Sequence, residues 1–411
     1  MTWTGKIELG ELSTLIVGVA ALLLGRYIRR SIPFLKRIDV PDAVVGASIV
    51  AVLCLLAEVL AGIKITFGSE LRDILLLVFF TTIGLSAKLA ALRNGGRPLF
   101  ILCAVTVLLL VLQNVAGIGV AMAWGAHPAY GLLAGSLSFV GGPGTALAWA
   151  KEMSAAGLQN AELVGVGSAT LAVIAGALVA GPVAGWIVAR HKLAGRSTGE
   201  GQVPFAPPVA AAAPADPASM ESLLGSVLVI ALSVYVGEQI NVVAGHAGLL
   251  LPGFLSAMLA GVLITNLADA FNKRLDFAPI EKGGEFALHA FLAIALMQVN
   301  LASVAAIIVP LAINIVVQIA LTIAVAYFVL FRLLGRDYDA AVATGGFLGF
   351  GIASMPVAMA TMDEIGRRYG PSPKAFLLIT LAGSFFVDLA NALVAKAFFA
   401  LPILAIPPHA G

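Results

Sequence analysis

One acidic residue lies in a strongly apolar part of the chain. Asp388 is near the centre of the last hydrophobic run, in the stretch LAGSFFVDLANALV. Ser384 and Asn391 lie four residues before it and three after it, so an α-helix would place the three on one face. A carboxylate inside a membrane is costly to bury and is a functional candidate by default. The side-chain oxygen atoms of these three residues suit a small hard cation. The alternative is that Asp388 is a structural carboxylate, bonded to a neighbouring helix.

Three amides occur in the middle of other apolar runs. Gln113 and Asn114 are adjacent, and Gln318 lies at a roughly equivalent place in the second half of the chain. Such amides can bind a substrate or coordinate a cation, and hydrogen bonding between helices is at least as common. His289 also lies inside an apolar run and could relay protons, but a single histidine there is more often a packing group.

Two glycine-rich breaks interrupt apolar segments. Residues 129–153 read AYGLLAGSLSFVGGPGTALAWAKEM, and residues 339–365 read DAAVATGGFLGFGIASMPVAMATMDEI. Each arm has about a dozen residues, whereas a helix needs about 20 to cross the hydrocarbon core. We therefore expect two re-entrant hairpins, with breaks at 141–144 and 349–351. The second arms should restart at Thr145 and near Ser354.

The two hairpin tips are the predicted binding region. A helix N-terminus favours an anion such as a carboxylate, and glycine lets the backbone approach a ligand closely. Ordinary capping and close helix packing are the alternative explanation. The predicted substrate site comprises Gly141, Gly142, Gly144, Thr145, Gly351, Ser354 and Gln318. The predicted cation site comprises Asp388, Asn391, Ser384, Gln113 and Asn114.

Composition identifies the class of protein that must position these residues. The chain has 411 residues, of which 60% are hydrophobic and 11% are charged. Soluble domains carry about 25% charged residues, so this is a polytopic membrane protein. A net charge of +2 argues against nucleic acid as a partner. No Ser/His/Asp arrangement, HExxH or Walker loop is visible, so we expect no enzyme, and uphill transport would draw on an ion gradient.

Ten apolar runs predict an all-α membrane protein with two repeats. Residues 1–190 and 222–411 each hold five spans and one hairpin, joined by a Pro- and Ala-rich flexible linker at 191–221. Because five is odd, the second repeat is inverted, and inverted repeats with broken helices place a transport site at the midplane. The spans are expected at roughly 12–29, 42–63, 72–92, 98–124, 162–189, 222–244, 251–270, 283–304, 307–331 and 374–401.

The distribution of positive charge predicts the orientation. With both termini outside, all but five of the 24 Lys and Arg residues fall on the inner side, as the positive-inside rule requires. The five exceptions are Lys6, Lys64, Arg72, Lys151 and Lys396. The first hairpin then enters from outside and the second from the cytoplasm.

Several stretches resemble the bacterial sodium/glutamate symporter family. They include VPDAVVG at 40–46, TIGLSAKLAALRNGGR at 82–97, GGPGTALAWAK at 141–151 and GSFFVDLANALVAK at 383–396. The resemblance implies sodium-coupled uptake of glutamate across the inner membrane by a homodimer, with sodium ion as the coupling ion and membrane lipids around it. Together with the charge distribution, it predicts that both termini are periplasmic. It also implies an elevator motion, in which a core holding both hairpins slides against a dimerising scaffold. We expect that scaffold in spans 12–63 and 222–270.

The chain departs from the family pattern at both tips. Pro143 stands where the family has histidine in GGHGT, and Phe347-Leu348 stand where a His-Cys pair precedes GFG. Met355-Pro356-Val357 replaces a Thr-Pro-Thr-like run. A symporter of another amino acid or organic anion, coupled to sodium or protons, is therefore an alternative. A passive channel or a membrane sensor that has lost transport is a third hypothesis.

Overall fold

Each of the ten predicted spans contains a helix among its described residues. The computed structural model describes residues 5–32, 42–90, 96–193, 220–246, 251–271, 277–298 and 304–406. Most of the predicted linker, 194–219, lies outside the described residues. Within the described ranges, seven helices are long and apolar enough to cross a membrane. The predicted all-α membrane protein is confirmed at this level.

The first half contains four long helices, a broken segment and a fifth long helix. The long helices are α1 (Glu11–Ser31), α2 (Asp42–Ala61), α3 (Glu70–Leu85) and α4 (Gly96–Ala123). Three short helices follow, α5 (Pro128–Leu133), α6 (Ser136–Phe139) and α7 (Gly142–Ala155). Helix α8 (Ala161–Arg190) completes this half.

The second half has the same order of elements. It begins with α9 (Met220–His246), α10 (Gly253–Ala270), α11 (Phe277–Met297) and α12 (Val304–Ala324). Helix α12 continues through a π-helical turn (Val325–Leu330) into α13 (Phe331–Leu333). The second broken segment is α14 (Tyr338–Ile352) and α15 (Met355–Tyr369). The last span is α16 (Pro373–Leu381), a second π-helical turn (Ala382–Phe386) and α17 (Val387–Phe399), before a 3₁₀ turn (Pro402–Leu404).

The helices form two bundles. Helices α1–α3 pack with α9–α11, and we call this group the six-helix bundle. Helices α4–α8 pack with α12–α17, and we call this group the hairpin bundle. Each bundle takes corresponding elements from the two halves: the first three spans in one case, the last two spans and the broken segment in the other. The six-helix bundle therefore includes α3 and α11, which extend the predicted scaffold spans.

The bundles meet mainly through α7. Its Trp149 ring lies 5.7 Å, centroid to centroid, from that of Phe254 in α10. A Cβ on Gly144 would lie 2.9 Å from Leu288 Cδ1 and 3.3 Å from Phe79 Cε1. The middle of this interface is thus apolar and closely packed.

A small sheet at one end was not predicted. Strand β1 (Gly5–Leu9) pairs in parallel with β2 (Ile63–Phe67), which follows α2. The Glu11 carboxylate accepts hydrogen bonds from the backbone N–H groups of Glu70 and Leu71, at the start of α3. The strands are only five residues long and gave no recognisable periodic signal beside the long apolar runs.

Helices α1 and α2 approach each other at two glycines. A Cβ on Gly46 would lie 1.8 Å from the carbonyl oxygen of Ala21, and one on Gly25 would lie 2.1 Å from that of Asp42. Small residues allow this backbone contact, as in other membrane helix pairs.

Gly46→Ala should therefore force α1 and α2 apart. We expect a loss of about 1–3 kcal/mol in unfolding free energy, the usual cost of overpacking. The measurement is the midpoint of thermal unfolding in detergent. Gly225→Ala in α9 is the matched control, because nothing lies within 4 Å of a Cβ there. Equal midpoints for the two variants would contradict this packing.

Candidate functional site

The first hairpin breaks twice. Helix α7 begins at Gly142 instead of Thr145, and Gly142 has φ 68°, a left-handed conformation that glycine adopts without strain. The first arm is itself divided at Ala134–Gly135, between α5 and α6, which was not predicted. A Cβ on Gly135 would lie 2.7 Å from Asn114 Oδ1, so glycine is required there for close approach to α4.

The predicted break of the second hairpin was wrong by a few residues. Helix α14 runs through Gly349 and Gly351, and the chain breaks at Ala353–Ser354. A Cβ on Gly349 would lie 2.4 Å from Ala358 Cα, so this glycine allows the two arms to pack closely. The restart at Ser354–Met355 is confirmed. Ser354 occupies the N-cap position, but its side chain makes no capping hydrogen bond.

The two tips meet inside the hairpin bundle. A Cβ on Gly142 would lie 3.8 Å from the carbonyl oxygen of Ala353. The N-termini of α7 and α15 are thus close together, and each helix has proline in its first turn, Pro143 or Pro356. The first N–H groups of a helix have no acceptor within it and carry partial positive charge. Convergence of two such ends favours an anion between them.

Amide side chains hold the broken backbone in place. Gln113 donates from Nε2 to the carbonyl oxygen of Gly351, at 2.8 Å, and to Thr322 Oγ1, at 3.1 Å. Gln318 donates to the carbonyl oxygen of Gln113 at 2.8 Å. Asn314 donates to the carbonyl oxygen of Ala134 at 2.6 Å. Helices α4 and α12 therefore satisfy carbonyl groups of both hairpins.

Ser136 joins the first hairpin to two other helices. Its N–H donates to Asn114 Oδ1 at 3.0 Å, and its hydroxyl donates to Asn391 Oδ1 at 2.7 Å. Asn391 Nδ2 in turn donates to the carbonyl oxygen of Ser136 at 3.1 Å. All three side chains are fully buried. A Cβ on Gly141 would lie 2.7 Å from Asn391 Nδ2, which places the tip beside this pair.

Several buried polar atoms in this region have no hydrogen-bond partner among the described residues. Gln113 Oε1 and Gln318 Oε1 are two such acceptors, and Asn114 Nδ2 is an unpartnered donor. Thr145 is buried at the tip and makes no described side-chain hydrogen bond. An unsatisfied polar group inside a membrane costs several kcal/mol, so these atoms are candidates for ligand contact.

Asp388 lies at the start of α17, directly after a π-helical turn. Its side chain has intermediate exposure, and it forms no hydrogen bond or ion pair with the described part of the chain. Ser384 lies within the π turn, and its side chain is outside the described part. A π turn takes more residues than an α turn, so the predicted common face of Ser384, Asp388 and Asn391 does not follow from α-helical spacing. π turns often occur at functional sites.

The sequence interpretation missed three residues of this network. Ser136, Asn314 and Thr322 were not singled out, although Asn314, Gln318 and Thr322 recur every four residues along α12. That polar stripe on an apolar helix was a usable signal. His289, by contrast, donates from Nδ1 to the carbonyl oxygen of Glu285, in its own helix, and α11 belongs to the other bundle.

The comparison with known families agrees with this architecture. A family model described as sodium/glutamate symporter matches residues 7–371. The chain belongs to the sodium/glutamate symporter family. The resemblance stated from the sequence is thereby confirmed, and so is the expectation of a transporter-type protein over an enzyme, since the family is one of symporters.

Curated relatives extend the match along almost the whole chain. The sodium/glutamate symporter of Haemophilus influenzae is 36% identical over 394 residues, covering 94% of this chain and 96% of the relative. That of Escherichia coli is 38% identical over 405 residues, covering 97% and 99%. The matched region includes both hairpins and α17.

Ser136→Ala should destabilise the protein, because Asn391 Oδ1 would lose its hydroxyl donor in a buried site. The expected loss is about 1–3 kcal/mol, the cost of an unsatisfied buried acceptor. Thermal unfolding in detergent measures it. Ser233→Ala is the matched control, since that hydroxyl only bonds a carbonyl of its own helix, α9. A midpoint as little changed as that of the control would show that the Ser136 contact contributes nothing.

Proposed function

We propose that this protein is a secondary active transporter that couples sodium entry to glutamate uptake. The observation that carries the proposal is the convergence of the α7 and α15 N-termini at Gly142 and Ala353, beside a buried polar network. The relatives named sodium/glutamate symporter supply the identity of ion and substrate.

Glutamate carboxylates would bind at the two tips. The first-turn N–H groups of α7 and α15 offer donors, and Gly142 leaves room for a ligand, because an added Cβ there would meet only the Ala353 carbonyl oxygen, at 3.8 Å. The predicted ligand residue Gly144 instead packs against apolar side chains of the six-helix bundle. Thr145 and Ser354 each have a hydroxyl without a described partner at these ends. Glutamate has a net negative charge, which both helix ends stabilise.

Sodium would bind next to the tips, on oxygen atoms that the fold leaves without a partner. Asp388 supplies the negative charge, and Gln113 Oε1 supplies a buried carbonyl oxygen. Asn391 contributes a more constrained oxygen, because its Oδ1 already accepts from Ser136. Since sodium offsets the substrate's negative charge, each ligand should strengthen binding of the other.

Two inverted repeats and a periplasmic location of both termini complete the proposed topology. The matching order of elements in the two halves supports the repeats. Three of the five positive residues expected outside, Arg72, Lys151 and Lys396, lie in one cluster. The other two, Lys6 and Lys64, face each other across the sheet that leads into α3. The grouping supports placing all five on one side of the membrane, and the positive-inside rule makes the side with fewer positive residues the outer one.

The division into two bundles supports an elevator mechanism. Both hairpins, α4 and α12 belong to one bundle, so a bound ligand can move with all the elements that hold it. The six-helix bundle would stay fixed and form the homodimer within the lipid. Its outer surface is apolar: Val243 in α9 is 69% exposed and Leu60 in α2 is 80% exposed.

A second candidate is symport of another small organic anion on the same fold. Met355 and Pro143 place apolar groups in the first turns of α15 and α7. Phe347 and Leu348 are fully buried in α14, and the Phe347 ring packs on Phe350, so these two replacements act in the core. Coupling to protons has less support, because His289 lies in the other bundle.

Labelled glutamate uptake into proteoliposomes tests the proposal directly. We expect accumulation with an inward sodium gradient and none when potassium replaces sodium, with a pH gradient alone giving no uptake. Competition by unlabelled dicarboxylates and other amino acids in the same assay separates glutamate from the second candidate. Absence of accumulation, in protein that sodium still stabilises against heat, would mean that the substrate is a different one.

Asp388→Asn should raise the sodium concentration for half-maximal uptake by about 10- to 100-fold, because the ion loses a charged ligand. The thermal midpoint without sodium should change little. Asp363→Asn is the matched control, since Asp363 pairs with Arg367 on the exposed side of α15. Normal sodium dependence in Asp388→Asn would remove Asp388 from the site.

A further inference from the structure

A cluster of charged side chains connects the two bundles at the end that we assign to the outside. The six-helix bundle contributes Arg72 and Asp73, in the first turn of α3, and Gln298, which follows α11. The hairpin bundle contributes Lys151 near the end of α7 and Glu162 in the first turn of α8. Glu152 and Lys396 of the hairpin bundle lie nearby.

Two ion pairs connect the bundles. In one the six-helix bundle supplies the anion, and in the other it supplies the cation. Lys151 Nζ lies 2.7 Å from Asp73 Oδ2, and Arg72 Nη1 lies 3.8 Å from Glu162 Oε1. Each bundle therefore supplies one cation and one anion to the contact. These pairs stabilise one relative position of the two bundles, and their charges cancel.

The six-helix bundle holds its half of the contact rigidly. Arg72 Nη1 donates to Gln298 Oε1 at 2.7 Å, and Arg72 Nε donates to Asp73 Oδ1 at 3.2 Å. Gln298 Nε2 donates to the carbonyl oxygen of Gly68, just before α3. The Arg72 side chain is only 12% exposed, so salt screens its contacts less than those of a surface pair.

These ion pairs differ in kind from the rest of the interface. Where Trp149 and Gly144 face Phe254, Leu288 and Phe79, the contact is apolar and has little directional preference. An apolar surface that slides along another keeps much of its contact. An ion pair is weakened by a displacement of a few ångströms, because its energy falls as the distance between the charges grows.

We propose that the Asp73–Lys151 and Arg72–Glu162 pairs form a latch that selects one position of the hairpin bundle and sets the rate of the transport step. The inference rests on the proposed elevator function. None of the four side chains lies at the tips, so they act on the position of the bundle and leave the binding groups unchanged. The latch must open each time the hairpin bundle moves along α3.

Distances between spin labels on the two bundles test the latch. Labels at Phe271, directly after α10, and at Phe100 in α4, in a Cys54→Ala/Cys103→Ala background, report the relative position of the bundles, since both sites are exposed. Asp73→Asn and Lys151→Gln should each raise the population of a second distance about three- to tenfold. The double variant should resemble either single variant, because one substitution already removes the pair.

Matched variants separate the latch from a general effect of charge. Asp363→Asn and Arg367→Gln remove an ion pair of 2.6 Å within α15 and should leave the distances unchanged. Arg72→Gln and Glu162→Gln should reproduce the effect of the first pair. Unaltered distances in all four latch variants, or effects of Asp73→Asn and Lys151→Gln that simply add, would overturn the proposal.

Uptake by the same proteins distinguishes the two failures. If the unsubstituted protein takes up glutamate with sodium and the latch variants change neither distance nor maximal rate, the latch fails and the proposed function stands. If the distances shift as expected but sodium drives no glutamate uptake, the latch stands and the substrate assignment fails. Thermal midpoints of all variants show whether each remains folded.

Discussion

Broken helices inside a membrane leave backbone groups that lipid cannot satisfy, and the structure depends on how they are paired. At the first hairpin, Asn314 binds the Ala134 carbonyl and Asn114 binds the Ser136 N–H. At the second, Gln113 binds the Gly351 carbonyl. Each amide comes from a continuous helix that runs beside the break. Without these partners the hairpins would expose polar backbone to an apolar environment, which costs several kcal/mol per group.

This pairing also explains why the hairpins belong to the same bundle as α4, α12 and α17. The helices that pair with the broken backbone must move together with it when the hairpin bundle moves. The same side chains leave Gln113 Oε1 and Gln318 Oε1 buried without a described partner. Structural support and candidate ligand contact thus come from opposite ends of one amide group. Interhelical hydrogen bonding and a binding role, which the sequence left as alternatives, are compatible here.

The interface between the two bundles contains few of the polar contacts that hold the hairpin tips in place. It is apolar around Trp149 and becomes ionic at Asp73 and Lys151. The buried amide hydrogen bonds that hold the tips, such as Gln113 to Gly351, lie within the hairpin bundle. A relative movement of two bodies is easier where their contact is apolar and limited, and the charged end then decides which position is preferred.

Much of this architecture could be predicted from the sequence, and the reasons are local. Apolar runs identify spans because lipid imposes a length and a composition. The restart at Ser354 was visible because a serine at the N-cap position is followed two residues later by Pro356. The predicted break at 349–351 was wrong because glycine occurs both where the chain turns and where helices pack closely. Gly142 adopts a left-handed turn, whereas Gly349 only makes room for Ala358, and the residue type is the same in both cases.

By itself, the sequence determined the membrane class, the positions of the apolar helices, the two glycine-rich breaks and the family, since these follow from composition, length and motif. Only the tertiary structure decided which polar groups meet. Ser136 contacts Asn391 from 255 residues away, and Lys151 contacts Asp73 from another bundle. Such pairs depend on how the helices cross and on π turns, which change the residues that a helix presents to its neighbour. Neither can be read from the periodicity of a single helix.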